Sequence, residues 1–357
     1  MGLPEINIEF KGKAVSALAR SAMGIVALVL KDDTGQFDLK EYKKVEDVES
    51  TDWTPANIDY IKKAFLGKPQ KVICVKQGAD TLKKGTPSLD ATLKLLGSKK
   101  WNYLAIPGLS EADKKVVSNW ITTKRDTDKK TFKAVLSNED ADHEGIINFS
   151  TEGIKVGGKV YSAAEYCVRI AGILAGLPFT RSSTYYVLDE VESITETETP
   201  NEDIDAGKLI LINDEEKIKI GRGVNSLVTT TLVKTEDFKK IKILEVMDMI
   251  TDDIRGTFKN NYVGQVNNIY DNQVLFFTSI NDYFKTLTKD EVLDINFINQ
   301  AFLNVESQRA AWEKIGVDTT DWDEQKVKAM SFKSNVFVSG NIKIVDAMED
   351  LDFQIAI

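Results

Sequence analysis

Residues 54–77 read TPANIDYIKKAFLGKPQKVICVKQ, and they carry a helix start, a helix stop and a strand in one run. Thr54 stands where a helix is capped, Pro55 where its first turn accepts proline, and Gly67 just past its last turn. Lys71 to Gln77 follows as a short bounded run of Val, Ile and Cys, which predicts a buried strand. Helix then strand at this spacing is the repeating unit of an α/β sheet.

The same alternation extends to both sides. Residues 24–31 (GIVALVLK), 101–108 (WNYLAIPG) and 131–137 (TFKAVLS) predict further buried strands. Residues 86–97 (TPSLDATLKLLG) predict a second helix capped by Thr86 with Pro87 inside and Gly97 beyond its end. A third starts at Ser110, with acidic residues in its first turn and basic ones in its last, which suits the helix dipole. The implied body is an open, mostly parallel sheet with flanking helices. Residues 31–48, long, polar and mixed in charge, are expected to be a junction without a glycine-rich ligand loop.

Past this body the pattern changes. Residues 153–162 (GIKVGGKVYS) predict a hairpin on Gly157-Gly158, and residues 163–177 a helix ending before Pro178. Residues 192–203 (ESITETETPNED) are expected to form a loop or linker, and residues 208–214 and 216–223 two strands around Asp214-Glu215-Glu216. Long helices are expected at 240–263, 272–287 and 294–316, then a strand pair turning at Ser339-Gly340-Asn341. Residues 218–234 (IKIGRGVNSLVTTTLVK) suggest an extended segment tying two domains together.

Both ends read as half-buried strands. Ile6, Ile8 and Phe10 share one face near the start, and Leu351, Phe353, Ile355 and Ile357 share one at the close. A strand with no turn after it needs a partner earlier in its chain or in another chain.

Composition narrows the functional classes. With 357 residues and 42% hydrophobic content, the chain is long enough for two ordinary domains, and its apolar runs are too short to span a bilayer. No signal-peptide pattern opens it, so folding in the cytosol is expected. A net charge of −9 with mixed signs along the chain disfavours a nucleic-acid partner. Cys74 and Cys167 sit in apolar settings and are expected to be free and buried. Residues 153–159 fit the spacing of a phosphate-binding loop, but Val160 replaces the required Ser or Thr and a hairpin fits better. His143 is the single histidine, so no histidine pair exists for a metal triad, and Asp140, Asp142, His143 and Glu144 are expected to be a solvated loop. No catalytic, cofactor or metal residues are assigned.

Four stretches together resemble the contractile tail sheath proteins of myovirus-type phages and phage-tail-like bacteriocins, particularly the short clostridial, diffocin-like or PBSX-like sheaths. They are residues 2–30, residues 161–185 (YSAAEYCVRIAGILAGLPFTRSSTY), GRGVNSLVT with Gly221, Gly223, Asn225 and Leu227, and the close from residue 336 to 357. The resemblance implies a structural, non-enzymatic protein that polymerises in sixfold rings around a tail tube and contracts. It implies no cofactor, and as partners other copies of itself, the tube protein, and baseplate and terminator proteins, without membrane insertion. Assembly would occur in the host cytoplasm, and the product would be a virion or a released phage-tail-like particle.

The domains expected on this basis are an amino-terminal arm (1–22), an α/β domain (23–200), a β connection (201–235) and an α+β assembly domain (236–357) ending in an arm strand (351–357). In the family both arms add as strands to neighbouring subunits. That gives Ile6, Ile8 and Phe10, and Leu351, Phe353, Ile355 and Ile357, as donated faces, and Val336, Val338, Ile342 and Ile344 as acceptors. The competing reading is an enzyme or ligand-binding protein on a flavodoxin-like body.

Overall fold

The computed structural model describes residues 24–78 and 88–356. They divide into two compact units, residues 24–248 with 346–356, and residues 249–345. Ile6, Ile8, Phe10, Thr86, Pro87 and Ile357 lie outside the described residues.

The first unit opens with β1 (Ile25–Lys31), β2 (Leu39–Tyr42), α1 (Pro55–Phe65), β3 (Lys71–Gln77), α2 (Leu89–Gly97), β4 (Tyr103–Ala105), α3 (Glu111–Asp126), β5 (Lys133–Ser137) and β6 (Ile146–Phe149). It continues through β7 (Glu152–Val156), β8 (Lys159–Tyr161), α4 (Ala163–Gly176), β9 (Ser193–Thr195), α5 (Pro200–Asp205), β10 (Lys208–Leu209), β11 (Leu211–Asp214) and β12 (Lys217–Ile220). Seven strands form one sheet in the order β10-β6-β5-β4-β1-β3-β2, all parallel except β2, which runs antiparallel to β3 at the edge. β1 is central because both of its faces are apolar. Val26, Leu28 and Leu30 pack with α1 and α4 residues, whereas Ala27 and Val29 pack with Leu93, Leu96, Val117 and Ile121 from α2 and α3.

One close approach and one tight turn explain glycines in this body. A Cβ on Gly172 of α4 would lie 2.1 Å from the Ala64 carbonyl oxygen of α1, so only glycine lets the two helices meet there. The β7–β8 turn pairs Val156 with Lys159 across Gly157 (φ 56°) and Gly158 (φ 80°), the two positive dihedrals such a turn needs.

The described chain differs from the sequence expectations in definable places. The polar stretch 31–48 contains β2, whose Tyr42 is buried and accepts from Trp53 Nε1 at 2.9 Å. Ser88, not Thr86, caps α2 by accepting from Ala91 N. Residues 192–203 are no linker, since β9 pairs with β7 and α5 follows.

α6 (Ile241–Asn261) begins in the first unit, and the two compact units part within it at residue 248. Ile241, Ile243, Leu244 and Val246 are buried. The GRGVNSL segment therefore lies wholly within the first unit instead of linking two. Asn225 is fully buried, donates through Nδ2 to the Phe238 carbonyl and accepts from Leu227 N, which pins the loop at both ends.

The second unit contains the rest of α6, then α7 (Tyr270–Lys289), β13 (Gln300–Leu303), α8 (Val305–Lys314), α9 (Glu324–Ala329) and β14 (Val338–Asn341). Residues 294–316 are thus not one helix. β13 takes four of them into a sheet with β14, and Asn304 then caps α8 by accepting from Ser307 N at 2.8 Å. Ser339-Gly340-Asn341 is no turn, because it forms the body of β14. Residues 336–338 and 342–344 are consecutive parts of one extended segment, not a pair of strands.

Candidate functional site: an open strand edge and an exposed terminal segment

The segment from Phe337 to Val345 runs antiparallel to residues 292–304. Phe337 O accepts from Asn304 N, Lys343 O accepts from Asp294 N, and Val345 N donates to Val292 O, at 2.8–3.0 Å. Main-chain groups alternate in direction along an extended chain. The odd residues therefore face residues 292–304, and the amide and carbonyl groups of Val336, Val338, Gly340, Ile342 and Ile344 face the opposite edge. Among the described residues nothing pairs with that edge. The outer edge of β13 is different. Asn281 of α7 donates to Ala301 O at 3.1 Å and accepts from Ala301 N at 2.7 Å, so a side-chain amide takes the place of a neighbouring strand.

Beside the open edge lies a groove of about 350 Å³ lined by Ile250, Ile254, Phe258, Phe276, Val336 and Val338. Its lining is apolar apart from Thr251 and Arg255 at its margin.

In the first unit the end of the chain has two parts. Residues 346–350 are held by ionic and hydroxyl contacts. Lys240 bonds Asp346, and Arg222 bonds Asp350. Ser182 Oγ and Thr184 Oγ1 donate to Glu349 Oε1 at 2.8 and 2.7 Å. Burial works to raise the Asp346 carboxyl, but the Lys240 ammonium and the Ala347 amide outweigh it and hold it below the usual carboxylate range. Residues 351–356 form no ladder with any described residue, and Leu351 (90% exposed), Phe353 (73%) and Ile355 (69%) stand in solvent. These three large apolar side chains alternate with Asp352 and Gln354 along the segment.

Other positions that could carry chemistry are occupied by the chain itself. Asp32, after β1 at the end of the sheet where α/β proteins hold ligands, accepts from Thr34 N, Thr54 N, Thr54 Oγ1 and Asn57 Nδ2. Asp140 accepts from Asn148 and Asp142 from Val228 N and Thr229 N, so these two carboxylates are drawn apart. His143 and Glu144 meet Asp126, and the Lys234 ammonium stands 2.8 Å from Glu144 and 3.6 Å from Asp126, where a cation would sit. Burial pushes His143 below its ordinary value in spite of Glu144, favouring the neutral ring. Cys74 and Cys167 are free and buried, and burial raises both thiols. Among the described residues, no helix is long and apolar enough to cross a membrane.

Residues 83–226 match the phage tail sheath protein central domain, and residues 233–357 match the phage tail sheath C-terminal domain. A tail sheath protein of Clostridium phage phiCD119 is 38% identical over 99% of this chain and 99% of its own. The chain belongs to the phage tail sheath family. It is accordingly a structural protein of a contractile tail, and the flavodoxin-like enzyme reading gains no support. Solved structures agree on the fold. A sheath tail protein from Desulfitobacterium hafniense matches with a TM-score of 0.69 at 18% identity, over 85% of this chain and 94% of that one. The contracted helical sheath of the anti-feeding prophage matches with a TM-score of 0.71 at 12% identity, over 100% and 99%.

In this sheath protein, Gly221, Gly223, Asn225 and Leu227 come together in one loop, near the root of the terminal segment. Sequence reasoning missed the contacts of that root. The acids Asp346, Glu349 and Asp350, and the bases Arg222 and Lys240, were visible as opposite charges far apart in the chain, with nothing local to pair them. Asn281 carried no signal either, since its role depends on α7 lying along β13.

Proposed function

We propose that the chain polymerises by lending its carboxy-terminal strand to a second copy, forming a helical sheath in sixfold rings around a tail tube. The observation that carries this reading is a match of two unmade contacts. The main-chain edge at Val336, Val338, Ile342 and Ile344 is open, and Leu351, Phe353 and Ile355 are bare. Added beside β14, this segment would place its apolar face toward the groove at Phe258 and Phe276 and leave Asp352 and Gln354 in water. The amino-terminal Ile6, Ile8 and Phe10 would serve a different neighbour in the same way.

The magnitudes favour a polymer over a tight pair. Burying three large side chains contributes about 5–9 kcal/mol, while ordering six residues costs about 6–12 kcal/mol. One arm alone gains little, and many arms with main-chain hydrogen bonds make a stable mesh.

Contraction would then move subunits as near-rigid bodies between two packings, with the arms keeping them linked and no nucleotide consumed. Assembly in the host cytoplasm, and contacts with tube, baseplate and terminator proteins, complete the proposal. Two charged helical stretches, residues 245–259 and 305–314, could face the tube, and 305–314 is favoured by its exposed Glu306, Glu313 and Lys314, because Glu245 and Asp248 in the first stretch are engaged with Lys133.

The test is deletion of the last seven residues, after Asp350. The truncated chain should fold and sediment as a monomer while the full chain gives striated tubes in negative stain. Tubes from the truncated chain, or its unfolding, would sink the proposal.

A further inference from the structure

The terminal segment leaves the first unit in a direction set by its root. Glu349 is the centre of a network in which two hydroxyl groups each accept from the main chain and donate to the carboxylate. Ser182 Oγ accepts from Thr184 N at 3.1 Å and donates to Glu349 Oε1. Thr184 Oγ1 accepts from Gly223 N at 3.0 Å and donates to the same oxygen. The Glu349 side chain is only 8% exposed, and Arg222 Nε stands 4.0 Å from its Oε2. Arg222 also bonds Asp350, and Lys240 bonds Asp346. Between these anchors Met348 points fully into solvent, so the strap is held by its acids and not by apolar packing.

Gly223 makes the arrangement possible. A Cβ there would lie 2.4 Å from Ser183 Oγ, because the turn through residues 221–223 rests directly on the turn through residues 182–184. The Gly-Arg-Gly element thereby brings an arginine and a main-chain amide to the place where the terminal segment crosses the body. The ionic and hydroxyl contacts stop at Asp350, and from residue 351 to 356 every side chain is exposed.

We propose that Ser182, Thr184, Arg222 and Lys240 form a socket that fixes the acidic root Asp346–Asp350, so that the arm leaves its own subunit from one point and in one direction. This rests on the arm reading above. A pinned root shortens the flexible length to the residues that dock and lowers the entropy lost on docking. The two ion pairs of the socket, Arg222 with Asp350 and Lys240 with Asp346, are partly exposed, so added salt weakens its hold.

Three variants, set beside the chain ending at Asp350, test it, with NMR backbone order parameters of residues 346–350 in the monomer, thermal melting and tube yield as readouts. In Glu349→Ala, loss of two hydrogen bonds to a charged acceptor should drop the order parameters from the rigid range of about 0.85 to below about 0.6, leave melting unchanged and cut tube yield. Arg222→Asp should do the same, and the charge-exchanged Arg222→Asp/Asp350→Arg chain should recover both order and tubes. If Glu349→Ala and Arg222→Asp assemble normally while the chain ending at Asp350 does not, the socket is refuted and the arm stands. Failure of the charge-exchanged chain to recover either readout also refutes it. If the chain ending at Asp350 assembles, the arm reading falls and the socket with it.

Discussion

Lys133, wholly buried on β5, holds its ammonium 2.6 Å from Asp248 on α6. Arg125 meets the same carboxylate through two nitrogens at 3.0 Å, and Glu245 lies 2.9 Å from Lys133 and also accepts from the Tyr103 hydroxyl. Burial opposes the charges of Asp248, Lys133 and Arg125, yet their opposite partners win, so Asp248 stays ionised and Lys133 protonated. The cluster ties the start of α6 to the sheet. Removing one member strands the others without water.

Asp248→Ala therefore leaves Lys133 and Arg125 buried against a single remaining neighbour, Glu245, with Glu144 at the margin. A loss of about 3–5 kcal/mol is expected, read as a shift of the denaturant midpoint at unchanged slope. A loss below about 1 kcal/mol, typical of exposed pairs, would mean that water reaches the cluster.

Asp32 predicts an acid limb. Burial works to raise its carboxyl, but bonds from Asn57, Thr54 and Thr34 prevail and hold it at about 2, against 3.8 when free. A lowered folded value means the stabilisation is complete above pH 4 and is lost as pH falls toward 2. The difference corresponds to about 2 kcal/mol. Asp32→Asn should flatten that limb in a pH series of unfolding measurements, and lower stability at pH 7 because an amide nitrogen then meets donors.

The order of strands and helices in the first unit was legible because buried parallel strands and capped helices are written locally. Val26 to Leu30, Thr54-Pro55 and Ser110 each declare themselves within a few residues. What sequence reading lost was decided by partners. β2 is polar because it is an edge strand, and β14 contains Ser339-Gly340-Asn341, residues that signal a turn until β13 is present to pair with them. The terminal segment was the reverse case. Its alternation was plain, while the residues that hold its root are scattered over positions 182–240 and could be joined only by the fold.

Gly172→Ala should be damaging in the body, as should the same change at its neighbours Gly67 and Gly176. The added methyl would lie 2.1 Å from Ala64 O, and moving α4 outward also disturbs Gly67, whose own Cβ would lie 2.0 Å from Gly172 C. Overpacking of a rigid contact costs about 1–3 kcal/mol. The helix propensity of alanine returns at most about 1 kcal/mol of this. A melting temperature equal to or above that of the parent would show that the helices separate easily.

The direction of the open edge gives the sharpest contrast. At Val338 the amide points away from β13, so Val338→Pro removes a donor that the monomer does not use, whereas Ser339→Pro removes one from the β13–β14 ladder. Proline is tolerated in a strand only where its missing N–H faces outward. Val338→Pro should leave the monomer within about 1 kcal/mol of the parent yet fail to form tubes, because the donated strand loses a main-chain partner. Ser339→Pro should destabilise the second unit itself, detectable as faster amide exchange across residues 300–304. Equal effects of the two substitutions on the monomer would show that the edge at residues 336–344 faces the other way.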